Sequence, residues 1–179
     1  MQKVRFQDML PHEIVERQKR FPAAFIGLGC LEWHGPQLAF GNDALKAEKL
    51  CELAAERSGG FAMPTLWYGE PRTLQILEHD DAQHGGEVAT HMGWNLPRIK
   101  DKTYFKKTSD EQVEFYRQLL YHMLIQMNTF GMRAVCLVAG HYPLGNFAKK
   151  VVEKFNSEYS DTKVFCGIKP QYVDKAHEA

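Results

Sequence analysis

The strongest constraint on this fold is an alternation along the chain. Short apolar runs bounded by glycine take turns with longer stretches of helical periodicity. Pro22 to Gly29 is a short apolar run ending in glycines and reads as a buried strand. From Asp43 to Ser58, Ala44, Ala47, Leu50, Cys51, Leu53 and Ala54 fall on one helical stripe, which Gly59 and Gly60 stop. Phe61 to Trp67 is the second strand expected. Ser109 to Phe130 has the clearest helical pattern, with Ser109 as N-cap and Gln112 at the reciprocal capping-box position. Its expected apolar face is Phe115, Leu119, Leu120, Met123, Leu124 and Met127, and Gly131 ends it. Arg133 to Gly140 is apolar on both faces, as strands of a parallel sheet are. A helix over Asn146 to Tyr159 and a strand over Thr162 to Ile168 follow. Residues 1–20 carry only loose helical spacing, through Met9, Ile14 and Val15.

The order β-α-β-α-β-α-β predicts an α/β fold. Its expected form is a three-layer α/β/α sandwich with a mostly parallel central sheet. At 179 residues the chain suits one domain and is too short for two of this kind. Residues 68–108 show no clean period and interrupt the alternation, so they read as an insertion or lid within a single domain over 1–179.

Charge narrows the partners. Twenty-two basic side chains balance 22 acidic ones, which removes the electrostatic case for nucleic acid and for an anionic membrane surface. The charged N-terminus lacks the apolar core of a signal peptide. No apolar run approaches the ~18–20 residues of a membrane span. Cys30, Cys51, Cys136 and Cys166 are widely spread with no C-x-x-C pair, and read as buried, reduced thiols. The expectation is a cytoplasmic protein.

In open parallel sheets, ligands bind beyond the carboxyl ends of the strands. The first apolar run is followed by Cys30, Leu31, Glu32, Trp33 and His34; the third by His141. Glu32 and His34 are two residues apart, so an extended segment points them the same way. Asp43 opens the next helix, where an N-cap is its simplest role. Two carboxylates and two imidazoles gathered at one sheet edge suit zinc, manganese or iron. Taken singly, Glu32 also fits a salt-bridged loop residue, and His141 a satisfied core histidine.

Gly29-x-x-Glu32-x-His34-Gly35-Pro36-x-Leu38, followed by Gly41-x-Asp43, resembles the first signature of the creatininase (creatinine amidohydrolase) family. Ala139-Gly140-His141-Tyr142 with Asn146 resembles its second, and the likeness spans most of residues 20–160. The resemblance implies an α/β/α metal-dependent amidohydrolase acting on a non-peptide C–N bond of a small cyclic or linear amide. It implies Glu32, His34, Asp43 and His141 as metal ligands, with Asp43 able to bridge two ions. One or two divalent ions, zinc or manganese with iron as an option, and a homo-oligomer are implied with them. Creatininase has a Glu two residues after the second-motif His, where this chain has Pro143. A third family signature, a His-Gly-type loop before Glu-Thr-Ser, would begin about where the chain ends. His177 matches its His and is the expected proton-transfer residue, and the resemblance is to a shortened member. A non-catalytic metal- or ligand-binding protein of the same fold is the alternative. A flavodoxin-like nucleotide binder is disfavoured, because no Gly-x-Gly-x-x-Gly or Walker loop follows a strand.

Within the insertion, His84, Glu87 and His91 could share a helical face and bind a metal, but the paired glycines weaken that helix. A polar lid is the plainer expectation. Trp33 alternates with the candidate ligands and should face away from them. Trp33, Trp67, Tyr68 and Trp94 are expected to serve packing, with a wall for a flat substrate as the other role.

Overall fold

The computed structural model describes residues 3–70, 86–94 and 108–167. A 3-10 turn at Phe6–Asp8 precedes helix α1 (Pro11–Arg20), strand β1 (Ala23–Leu28), helix α2 (Asn42–Ser58) and strand β2 (Phe61–Ala62). Helix α3 (Glu87–Met92) follows, then α4 (Ser109–Thr129), β3 (Ala134–Ala139), α5 (Tyr142–Glu158) and β4 (Lys163–Cys166). The four strands run parallel in the order β2-β1-β3-β4.

Alternate residues of the strands sort into two packing layers. Ala24, Ile26 and Leu28 of β1, Val135 and Leu137 of β3 and Val164 of β4 face α4 and α5. There they meet Val113, Tyr116, Leu120, Leu124, Leu144, Phe147 and Phe155. Phe25 and Val138 lie on the other face, against Cys51 and Ala55 of α2. A right-handed crossover rule explains the split: β1 to β2 steps one way along the sheet, while β2 to β3 and β3 to β4 step the other. The three-layer sandwich read from the sequence is therefore present.

Several boundaries differ from the sequence reading. The second strand is only Phe61–Ala62, because the register slips by one residue after Met63: Met63 N–H donates to Phe25 O at 2.9 Å, and the next donor to β1 is residue 66, not 65. The chain still tracks β1 beyond it, with Leu66 N–H donating to Gly27 O at 2.8 Å and Gly69 N–H to Gly29 O at 2.9 Å. The N-cap of α4 is Thr108, not Ser109. Thr108 Oγ1 accepts from Glu111 N–H at 3.2 Å, and the Glu111 carboxylate accepts from Thr108 N–H at 2.9 Å. That frame places Val113, Tyr116, Leu120, Leu124 and Met127 in the core and leaves Phe115 70% exposed. Helix α5 starts at Tyr142, four residues early, since Pro143 in the first turn has the backbone angle a helix start needs. The last strand is Lys163–Cys166, and Ile168 lies outside the described residues.

Helix α1 is held by one buried cation. Arg17 donates to Ala55 O at 3.0 Å and Gly60 O at 2.7 Å, at and just past the end of α2, and to Lys3 O at 3.3 Å in the N-terminal segment. Most of the 68–108 insertion, including His79 and His84, lies outside the described residues. Its residues 86–94 carry α3, where His91 Nδ1 bonds Glu87 O at 2.9 Å; the metal face read from His84, Glu87 and His91 includes a residue outside the described ones.

Candidate metal centre

The register of β1 on β3 builds the site. Leu28 pairs with Ala139, so Gly29 and Gly140 leave the sheet side by side. Gly140 N–H donates to Leu28 O at 2.8 Å, which extends the ladder to the residue before His141. The first turn of α2 lies directly across these two exits. A Cβ on Gly29 would fall 2.3 Å from the Ala44 Cα, and one on Gly140 would fall 2.0 Å from the Asp43 carbonyl oxygen. Only glycine permits this backbone contact, and the contact sets Asp43 beside His141.

The donors converge there. His141 Nδ1 lies 2.9 Å from Glu32 Oε2 and 3.1 Å from Asp43 Oδ2. His34 Nε2 lies 3.4 Å from the same Asp43 oxygen and 3.6 Å from the same Glu32 oxygen. Asp43 Oδ2 thus stands between two imidazoles. Asp43 is 3% exposed and His141 8%. His34 is held by its own loop: Gly35 turns at a φ of 86°, and His34 Nδ1 lies 3.1 Å from Glu32 O. That contact turns Nε2 toward the carboxylates.

Asp43 does not cap α2. The N-cap is Gly41, and the Asp43 side chain turns from the helix end toward the cluster. There it also meets Lys46 Nζ at 3.4 Å through Oδ1.

Burial would raise the Asp43 pKa, but the hydrogen bond from His141, with the His34 and Lys46 charges, holds it below its ordinary value. Burial alone would lower the His141 pKa; hydrogen bonds to Asp43, Cys30 and Glu32 outweigh it and push it up to about 11. The His141 imidazole therefore serves as a counter-ion to both carboxylates. His141 Nε2 is buried with no hydrogen-bond partner among the described residues. Two carboxylates and two imidazoles, one of them incompletely satisfied, fit a divalent ion of borderline hardness.

The structure brings together Glu32, His34, Asp43 and His141. His177 lies outside the described residues. Sequence reading missed Cys30, whose fully buried Sγ lies 3.9 Å from both Glu32 Oε2 and Asp43 Oδ2. Its signal was the alternation of residues 30, 32 and 34. Burial pushes its thiol pKa up, against an opposing hydrogen bond with His141.

The four aromatic residues singled out in the sequence take different roles. Trp33 lies against the His91 ring at 5.7 Å, and Trp94 sits edge-on to Phe40 at 6.5 Å. Trp67 covers Gly41. Tyr68 is exposed and, with Gly69, Phe115, Tyr116 and Leu119, lines a cavity of about 560 Å³. Gly69 ties that cavity to the strand end through its bond to Gly29.

The family model Creatininase, described as creatinine amidohydrolase, matches residues 7–178. A mutant creatininase complexed with creatine superposes with a TM-score of 0.64 at 19% identity, over 99% of this chain and 64% of that one. A mutant creatininase of Zn-Zn type gives 0.63 at 19% identity, over 99% and 65%. Creatininase Mn gives 0.62 at 18% identity, over 97% and 63%. The chain thus spans slightly under two thirds of the length of these matched structures. No curated protein matches it at a significant level. No helix among the described residues is long and apolar enough to cross a membrane.

Proposed function

From the premise that the chain belongs to the creatininase family, we propose that it is a metal-dependent amidohydrolase. Its reaction is cleavage of a non-peptide C–N bond in a small cyclic or linear amide. The observation that carries this reading is the meeting of Glu32, Asp43 and His141 within hydrogen-bond distance, with His34 on the same carboxylate oxygens. These four residues would hold one or two divalent ions, zinc or manganese, with iron as a further option. A divalent ion there supplies a polarised amide carbonyl and a water acidic enough to attack it.

The protein's own residues do the rest. Asp43 offers one oxygen to both imidazoles and is fixed by its place on α2. His34 is oriented by its Nδ1 contact to the Glu32 carbonyl. The cavity beside Gly69, with Tyr68, Phe115 and Tyr116, offers aromatic walls for a flat amide. His177 keeps the role of moving the proton to the leaving nitrogen. Assembly as a homo-oligomer belongs to the same proposal.

Pro143 favours a second reading, a metal-binding protein of this family without turnover. It stands two residues after His141, where creatininase carries a carboxylate. One assay separates the two. The zinc- or manganese-loaded chain is offered creatinine, other cyclic amides and formamides. Hydrolysis that stops with a chelator and returns with metal is the expected result. Stoichiometric metal with no turnover across the panel selects the second reading.

A further inference from the structure

The four ligands named so far leave out the buried thiol that faces them. One donor atom each from Cys30, Glu32, Asp43 and His141 lies within 4.8 Å of all the others. A tetrahedral zinc site has Zn–S near 2.3 Å and Zn–N or Zn–O near 2.0 Å, so its edges are roughly 3.5 Å for S···O and roughly 3.3 Å for N···O. The separations here are 3.9 Å from Cys30 Sγ to each carboxylate oxygen. From His141 Nδ1 they are 2.9 and 3.1 Å. All four lie close to polyhedral edges. Pro143, two residues after His141, offers no side-chain donor. Lys46 reaches only the outer oxygen of Asp43 and leaves Oδ2 facing the thiol and the imidazoles.

We propose that Cys30 is a metal ligand, binding as a thiolate with Glu32, Asp43 and His141, and that its sulfur biases the centre toward zinc over manganese. This rests on the metal-centre reading above. On binding, the S–H bond breaks, its proton passes to solvent and a sulfur lone pair forms the metal bond; no oxidant is needed. The preference follows from softness, since thiolate favours zinc while an all-oxygen and imidazole site accepts manganese readily.

The test uses the full chain loaded with cobalt(II) as the probe. The expected spectrum has visible d–d bands and a near-ultraviolet sulfur-to-cobalt charge-transfer band. Cys30→Ser should lose the charge-transfer band and keep the d–d bands, while Cys51→Ser keeps both. Zinc-over-manganese preference in a competition titration should fall at least about tenfold in Cys30→Ser. X-ray absorption at the zinc edge of the unmodified protein decides the matter even if the variant does not fold. One sulfur near ~2.3 Å supports the proposal. Bound cobalt or zinc with only nitrogen and oxygen neighbours overturns the Cys30 assignment and leaves the metal centre standing. Failure of the unmodified chain to bind cobalt or zinc overturns both.

Discussion

Asp43→Ala is expected to release the metal and to destabilise the metal-free protein together. Asp43 is 3% exposed and accepts from His141, whose imidazole is charged in that setting. Removing the carboxylate leaves a buried cation with one fewer counter-ion. The cost should be about 3 kcal/mol, near the low end for breaking a buried ion pair, because Glu32 still accepts from the same nitrogen. For a chain of this size that corresponds to a fall in Tm of roughly 6–12 °C. Metal affinity should drop by more than about 100-fold, beyond the range for losing an outer partner. Asp43→Asn keeps the shape and loses the charge, so it should lose metal as completely with a smaller change in packing. Unchanged metal content in Asp43→Ala, measured by mass spectrometry of the dialysed protein, would show that Asp43 is no ligand.

Gly140→Ala should disable the site without touching a ligand. The added methyl would fall 2.0 Å from the Asp43 carbonyl oxygen, 2.9 Å from its carbon and 3.1 Å from the Ala47 Cβ. These atoms are mostly backbone and cannot swing aside, so α2 must lift from the ends of β1 and β3. The penalty should reach about 3 kcal/mol or more, the upper range for overpacking. Because α2 carries Asp43 away from His141, metal affinity should fall with stability. Gly93→Ala is the control. Gly93 has a φ of 64° with nothing within 4 Å of an added Cβ, so the change costs about 1–2 kcal/mol of backbone strain. It should leave metal binding intact. Denaturant melts and metal titrations of both variants read the difference. Equal metal loss in the two would contradict the role given to the α2 contact.

The sheet was legible because its signal is redundant. Apolar runs ending at Gly29 and Gly140, separated by helical stripes, allow few arrangements, and the alternation of Glu32 and His34 already placed both on one side. The precise helix starts were less legible. Thr108 and Ser109 are both good caps, and only the reach of the Glu111 carboxylate back to Thr108 N–H chooses between them. One residue of frame then turns Phe115 outward. Cys30 was overlooked for a different reason. A thiol at the end of an apolar strand has the same local sequence whether it fills a core or faces a carboxylate pair. Its distances to Glu32 and Asp43 depend on a fold of the loop back over α2, where Glu32 N–H donates to Phe40 O at 3.0 Å. Asp43 shows the converse. Its place at the helix start suggested a cap, but the glycine contact commits its carboxylate to the strand ends.

The claim underlying all of this is that the carboxyl ends of β1 and β3, closed by α2, hold a divalent ion. Anomalous diffraction at the zinc edge, from crystals of the zinc-loaded chain, tests it most directly. A peak bonded to Glu32, Asp43 and His141, with His34 at that ion or at a second one sharing Asp43, is the expected result. A peak away from these side chains, or zinc-loaded crystals with no ordered ion between the strand ends, would contradict it.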